Sequence, residues 1–258
     1  MCIILLAHEA HPGYRLILAA NRDEFYERPT AQAGFWEDAV GLLGGRDLER
    51  GGTWLGATET GRVAAITNFR EPLGKIMDAP SRGLVVSDFL RSRERPEKYL
   101  ERLAANAAWY NGFNLIVGDA HDLYYYSNKA DAVQALAPGL YGVSNHLLDT
   151  PWPKVARGKQ ALAEILVRGD EVSPDDIFRL LADGTPTEDA CLPDTGVGLE
   201  VERMLSPLFI TSPVYGTRSS TVLLVDRKGR VTFIERSFTN GSTEWDEAGF
   251  EFEIKERP

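Results

Sequence analysis

Six apolar residues follow Met1 without a break: Cys2-Ile3-Ile4-Leu5-Leu6-Ala7. A strand with one wet face alternates apolar and polar side chains. An unbroken run of this length belongs to a strand covered on both faces. The sheet that holds it therefore needs a layer above and a layer below. His11-Pro12-Gly13 is a turn signal, and residues 14–21 read as a second strand, so the chain opens with a hairpin.

A second hairpin is expected from residues 53–58 and 62–67, around Glu59-Thr60-Gly61. The period then changes. Residues 81–90 and 96–109 carry apolar side chains at helical spacing, and Pro96 suits a first helical turn. Strands return at 113–117, 123–126, 133–136 and 140–143. Residues 153–167 form a strongly amphipathic helix, and Ser173-Pro174-Asp175-Asp176 starts a short one running to Leu181. Residues 185–207 are polar and irregular, which predicts a loop lying over a pocket. A last hairpin spans 217–225 and 231–238, and 250–254 alternates like an edge strand. Strands and helices thus come in blocks rather than in βαβ alternation. Two antiparallel sheets packed face to face with helices outside, a four-layer αββα sandwich, explain that order.

The formal charge of −10, with no basic cluster, argues against a nucleic-acid partner. No apolar run approaches the roughly 18 residues needed to span a bilayer, and no signal peptide is evident. Two cysteines, Cys2 and Cys191, make no disulfide scaffold and fit a reducing compartment; the reading is cytoplasmic. His8, His11, His121 and His146 show no metal-ligand spacing.

Chemistry concentrates at strand ends. A small residue after Met1 favours removal of that methionine. Cys2 would then carry a thiol and a free α-amine on one carbon. An α-amine titrates at about 7.7–8.0, so it can take the thiol's proton near neutrality. The plainer reading makes Cys2 a small apolar residue at the head of a buried strand. Asn21-Arg22-Asp23-Glu24 follows the apolar segment 16–20. The hairpin lays Arg22 and Asp23 beside Cys2, where Arg22 would favour a thiolate and Asp23 would accept from an ammonium. A surface ion pair would account for the same residues. Asn68 and Asn145 each follow a strand, and Arg218 precedes an apolar one. An asparagine there can donate to a developing oxyanion or simply close a turn. Trp54, in Gly51-Gly52-Thr53-Trp54, packs either a ligand or the core.

The chain resembles the NRDE family, the transport-and-Golgi-organisation proteins, over essentially its whole length. The resemblance rests on Met1-Cys2, Ala20 to Glu24, Arg28-Pro29-Thr30 and Gly44 to Asp47. It continues through Gly51 to Gly56, Thr67-Asn68 and Gly142 to Asn145. That family is in turn similar to N-terminal-nucleophile hydrolases with a cysteine nucleophile, the choloylglycine hydrolase and penicillin V amidase group. The resemblance implies one domain over 1–258 with the four-layer fold. It implies Cys2 as nucleophile, Arg22 and Asp23 flanking it, Asn68 and Asn145 near the oxyanion, and Arg218 on a late strand.

Two functions follow. One is a hydrolase of a linear amide or thioester of a small acyl group, which requires no cofactor. The other, implied by what the family is linked to, is a non-catalytic carrier of haem, acyl-CoA or lipid. The absence of Cys-x-x-Cys-His excludes covalent haem attachment. Non-covalent haem would use His8, His146, a tyrosine or Cys2. The hydrolase reading expects Cys2, Arg22, Asp23, Asn68, Asn145 and Arg218 to line one cleft at the end of the sandwich.

Overall fold

The computed structural model describes residues 2–71, 76–130, 132–169, 171–239 and 241–255. The expected loss of Met1 lies outside these residues. Strands β1 (Cys2–His8), β2 (Tyr14–Phe25), β3 (Thr30–Phe35), β4 (Leu42–Asp47), β5 (Leu55–Thr58) and β6 (Val63–Asn68) come first. Helices α1 (Arg82–Arg91) and α2 (Pro96–Ala104) follow. Then come β7 (Phe113–Gly118), β8 (Leu123–Ser127), β9 (Ala132–Ala135) and β10 (Gly139–Val143). Helices α3 (Pro153–Leu166), α4 (Pro174–Leu181) and α5 (Leu199–Met204) precede β11 (Tyr215–Asp226), β12 (Arg230–Phe238) and β13 (Trp245–Glu253).

The strands form two antiparallel sheets. One has the order β10-β1-β2-β11-β12-β13 and the other β3-β4-β5-β6-β7-β8-β9. Alternation along β1 decides the layering. Ile4 and Leu6 meet Leu43, Leu55, Ile116 and Tyr125 of the other sheet. Ile3 and Leu5 meet Val155, Leu162, Ile177 and Leu181 of α3 and α4. Helices α1 and α2 cover the second sheet through Val86, Phe89 and Leu100 against Ile66, Leu115 and Val117. Each such side chain contributes about 1.5–3 kcal/mol on burial. The four-layer expectation holds, and the unbroken apolar run is its cause.

Four details differ from the sequence reading. Strands β3 and β4 were not expected, because Leu42 to Asp47 contains two glycines and two charges. The expected helix over 96–109 ends at Ala104, with a separate 3-10 turn at Ala107–Trp109. The polar segment 185–207 is not all loop, and the small cavity it lines, with Arg70, Trp152 and Lys154, is separate from Cys2. The segment contains α5, whose Glu202 forms a buried ion pair with Arg70. Finally, Asn21 to Glu24 lies inside β2 rather than after it. Pairing with β1 on one side and β11 on the other carries the strand through these polar residues.

Candidate active site

Because Asn21 to Glu24 is strand, its side chains alternate between faces. Asn21 points towards the helices. Its Nδ2 donates to the Leu181 and Leu208 carbonyls at 2.8 and 2.9 Å, and its Oδ1 accepts from Ser220 Oγ at 2.6 Å. It is fully engaged and ties the end of α4 to the sheet. Asp23 shares that face. Its Oδ1 accepts from Thr217 Oγ1 at 2.8 Å, and its backbone carbonyl accepts from Tyr215 Oη at 3.0 Å. Arg22 points the other way, between the sheets.

Cys2 pairs directly with Arg22 in the β1–β2 ladder, so both side chains stand on the inter-sheet face. Arg22 is 6% exposed, sits over the Trp54 ring at 4.2 Å and donates to Thr30 Oγ1 at 3.2 Å. The Cys2 carbonyl accepts from Ser144 Oγ at 2.9 Å. Burial pushes the Cys2 thiol up from its ordinary value. The Asp23 charge adds to that, while a hydrogen bond from the Asp23 backbone N–H and the Arg22 charge oppose it. The expected thiolate-favouring effect of Arg22 is present, but burial outweighs it. Asp23 is also raised by burial, against the pull of Lys154, Thr217 and Arg22.

Cys2, Arg22, Asp23 and Asn68 line one cleft of about 260 Å³ at the end of the sandwich. Two of the expected residues do not line it. Asn145 is completely buried behind the wall, with its Nδ2 donating to the Asn68 carbonyl at 2.9 Å. Its own carbonyl accepts from the Arg70 N–H at 2.7 Å, and its Oδ1 from Ser144 Oγ at 3.2 Å. It brackets β6 to the segment after β10, so its amide is committed before any oxyanion forms. Arg218 donates through one nitrogen to the carbonyls of Phe25, Tyr26 and Arg28 at 2.9–3.1 Å. It clamps the turn after β2 and lines a different cavity, of about 150 Å³, with Glu235 and Ser219. Trp54 touches both cavities, and the Arg22–Trp54 stack stands between them.

The sequence reading missed several residues. Arg82, at the start of α1, lines the cleft beside Ser81 and Gly83. It arrives there through glycines. A Cβ on Gly52 would lie 2.2 Å from the Gly83 backbone, so the 51–53 loop packs glycine to glycine against the helix start. The Thr53 N–H donates to the Gly83 carbonyl at 3.1 Å. Gly45 has the same use under Trp54, whose ring would sit 2.3 Å from an added Cβ. Lys154 is 3% exposed, donates to the Leu205 carbonyl at 3.0 Å and is held near Asp23. Burial pushes it down to about 8. Its only sequence signal was an out-of-place charge in the buried first turn of α3.

Apart from Cys2, the expected haem-ligand candidates lie elsewhere. His8 ends β1, about 20 Å along the strand from Cys2. The His146 ring meets Thr150 Oγ1 at 2.9 Å and packs on Phe69 and Trp152. Of the successive tyrosines of β8, Tyr125 faces the inter-sheet core and Tyr126 the helices. Among the described residues no cluster of three or more His, Cys, Asp or Glu is arranged to hold a metal. Among them, too, no helix is long and apolar enough to cross a membrane.

The profile of the family described as Transport and Golgi organisation 2 matches residues 1–240. The chain belongs to that family. The Transport and Golgi organisation 2 relatives extend over nearly the full length. The bovine Transport and Golgi organization protein 2 homolog is 40% identical over 99% of this chain and all of its own. The Drosophila melanogaster Transport and Golgi organization protein 2 is 32% identical, covering 93% of each. Among solved structures, variant R18L of conjugated bile acid hydrolase from Clostridium perfringens superposes with a TM-score of 0.55 at 9% identity. It covers 100% of this chain and 99% of that one. A Caenorhabditis elegans N-acylethanolamine-hydrolyzing acid amidase ortholog gives 0.52 at 11% identity, over 86% and 92%. At these identities the likeness is one of fold: this Transport and Golgi organisation 2 chain has an N-terminal-nucleophile-hydrolase-like sandwich.

Proposed function

We propose that the protein is an N-terminal-cysteine hydrolase acting on a linear amide or thioester of a small acyl group. The observation that carries this reading is the position of Cys2. Its thiol opens into a polar cleft, opposite Arg22 and next to Asp23, at the one strand end where loss of a single residue would add an amine. After Met1 is removed, the α-amine takes the thiol proton, and the sulfur bonds to the acyl carbon. The carbonyl electron pair moves onto oxygen, where Asn68 or a backbone N–H donates to it. When the carbonyl re-forms, the leaving amine or thiol departs with the proton held by the α-amine. Water then attacks the thioacyl carbon, returning a proton to sulfur and releasing the acid. Asp23, which Lys154 and Thr217 pull towards its charged form against burial, would hold the ammonium.

The two solved proteins named above are described as hydrolases of conjugated bile acids and of N-acylethanolamines, which supports the same chemistry on this fold. The haem-carrier reading draws less support. The cleft is polar, and no histidine lines it among the described residues. Intact mass of untagged protein, before and after exposure to a short-chain acyl thioester, tests the proposal. The expected result is a chain lacking Met1 and an acyl adduct on Cys2. The adduct should be absent in Cys2→Ala. Equal thioester turnover by Cys2→Ala and wild type would overturn it.

A further inference from the structure

Arg22, Arg28, Arg50 and Arg82 all line the cleft beside Cys2, and Arg28 and Arg82 differ in how they are satisfied. Arg28 is saturated. It donates to Asp47 Oδ2 through Nε at 3.1 Å and Nη2 at 2.8 Å, and meets Glu49 at 3.4 Å and Glu24 at 3.9 Å. Arg82 is not saturated. One of its nitrogens donates to the Gly112 carbonyl at 2.8 Å, and among the described residues no carboxylate lies within ion-pair distance of it. The nearer acids are engaged elsewhere: Glu71 pairs with Lys129 at 2.6 Å, and Glu24 faces Arg28. Burial, with a smaller push from Arg28, drives Arg82 below the ordinary arginine range, against the opposing influence of Cys2, Glu24 and Glu71. A half-buried guanidinium left with free donors costs desolvation that an incoming anion would offset.

The helix start adds to this. Arg82 is the first residue of α1, Ser81 makes no side-chain cap, and residues 81–83 line the cleft. The positive end of a ten-residue helix therefore faces the same space.

We infer that the substrate carries one carboxylate besides its scissile acyl bond, and that Arg82 binds it. This deepens the hydrolase reading and rests on it only for where the reacting carbon lies. The cleft, of about 260 Å³, suits a backbone of a few carbons between the two groups. A single negative charge is favoured over a phosphate or polyphosphate. Glu24, Asp47 and Glu49 line the same cleft, and Arg28 among them is already neutralised. A multiply charged ligand would meet those carboxylates, while Arg28 and Arg50 are paired with acids and Arg22 is stacked on Trp54 and bonded to Thr30.

Calorimetric titration of Cys2→Ala protein tests this without turnover. The probes are glutaramate, which has one carboxylate and one amide, glutaramide, which has no charge, and inorganic phosphate. Glutaramate should bind at least tenfold more tightly than glutaramide. Adding Arg82→Gln should cut that preference to twofold or less, and Arg82→Lys should keep part of it. The lysine variant guards against a folding artefact, because it retains the cation and a donor for the Gly112 carbonyl. Equal affinities for glutaramate and glutaramide would overturn the inference, as would a preference untouched by Arg82→Gln. Phosphate displacing glutaramate at equal concentration would overturn the choice of a monoanion. Each of these failures leaves the acyl adduct on Cys2 standing or falling separately.

Discussion

Cys2 and Arg22 face each other across the β1–β2 ladder, and the Arg22 guanidinium sits over the Trp54 ring at 4.2 Å. The pair is therefore held by backbone register below and by an aromatic ring above. Neither partner relies on a long, freely rotating side chain to find the other.

Arg22 opposes the burial that raises the Cys2 thiol. Replacing it by alanine should raise the thiol further and slow iodoacetamide labelling of Cys2 near pH 7, because the thiolate is the form that reacts. Arg22→Lys should recover part of the rate but not the stacking on Trp54. Labelling that is unchanged in Arg22→Ala, followed by peptide mass mapping, would show that the ladder pairing has no electrostatic consequence.

Arg218 holds the turn after β2 through three carbonyls. Arg218→Ala should cost on the order of 1.5–3 kcal/mol in urea unfolding, the range for hydrogen bonds from a charged donor. The labelling rate of Cys2 should stay within about twofold of wild type. A large loss of Cys2 reactivity with unchanged stability would restore Arg218 to the cleft.

Gly52→Ala should disrupt the site from a distance. The new methyl would collide with the Gly83 backbone at 2.2 Å, and backbone cannot move aside as a side chain tip can. Overpacking of this sort costs about 1–3 kcal/mol. It should also displace Arg82, so the preference for a carboxylate ligand should weaken along with stability. Full retention of both would mean that the loop and helix start do not need their close contact.

Much of this arrangement was legible in the sequence, and the reason is local. The apolar run at residues 2–7 demanded cover on two faces, and a short turn at 11–13 brought residue 22 back to residue 2. What failed was non-local. Asn21 and Asp23 looked like post-strand polar residues because their partners, Leu181, Leu208 and Thr217, are more than 150 positions away in sequence. For Asn145 the sequence left oxyanion donor and turn closure both open, and for Arg218 it named no partner. The structure gives the donors of both residues to backbone carbonyls. Arg82 carried no signal of its own, because its place depends on Gly52 meeting Gly83.

Glu235 offers a test of the interior beside the site. It is 1% exposed, lies on the inter-sheet face, and accepts from the Ala33 N–H at 2.7 Å and from Thr221 Oγ1 at 3.4 Å. Burial pushes its carboxyl up to about 7, despite those donors and the Arg22 charge. The folded protein therefore holds a proton there that the unfolded chain has lost above the ordinary glutamate range. Between about pH 4.5 and about 7 the folded state binds more protons, so this group's contribution to stability falls as pH rises and is gone above its folded pKa. The shift corresponds to roughly 3 kcal/mol. Glu235→Gln keeps an acceptor for Ala33 and removes the titration. Urea unfolding at pH 5 and pH 8 should show the variant gaining on wild type by up to roughly that amount at the higher pH. Asp23 is raised in the same direction but is common to both proteins, so the difference between them isolates Glu235. Parallel pH dependences would mean that Glu235 is ionised throughout and that Arg22 is its effective counter-charge.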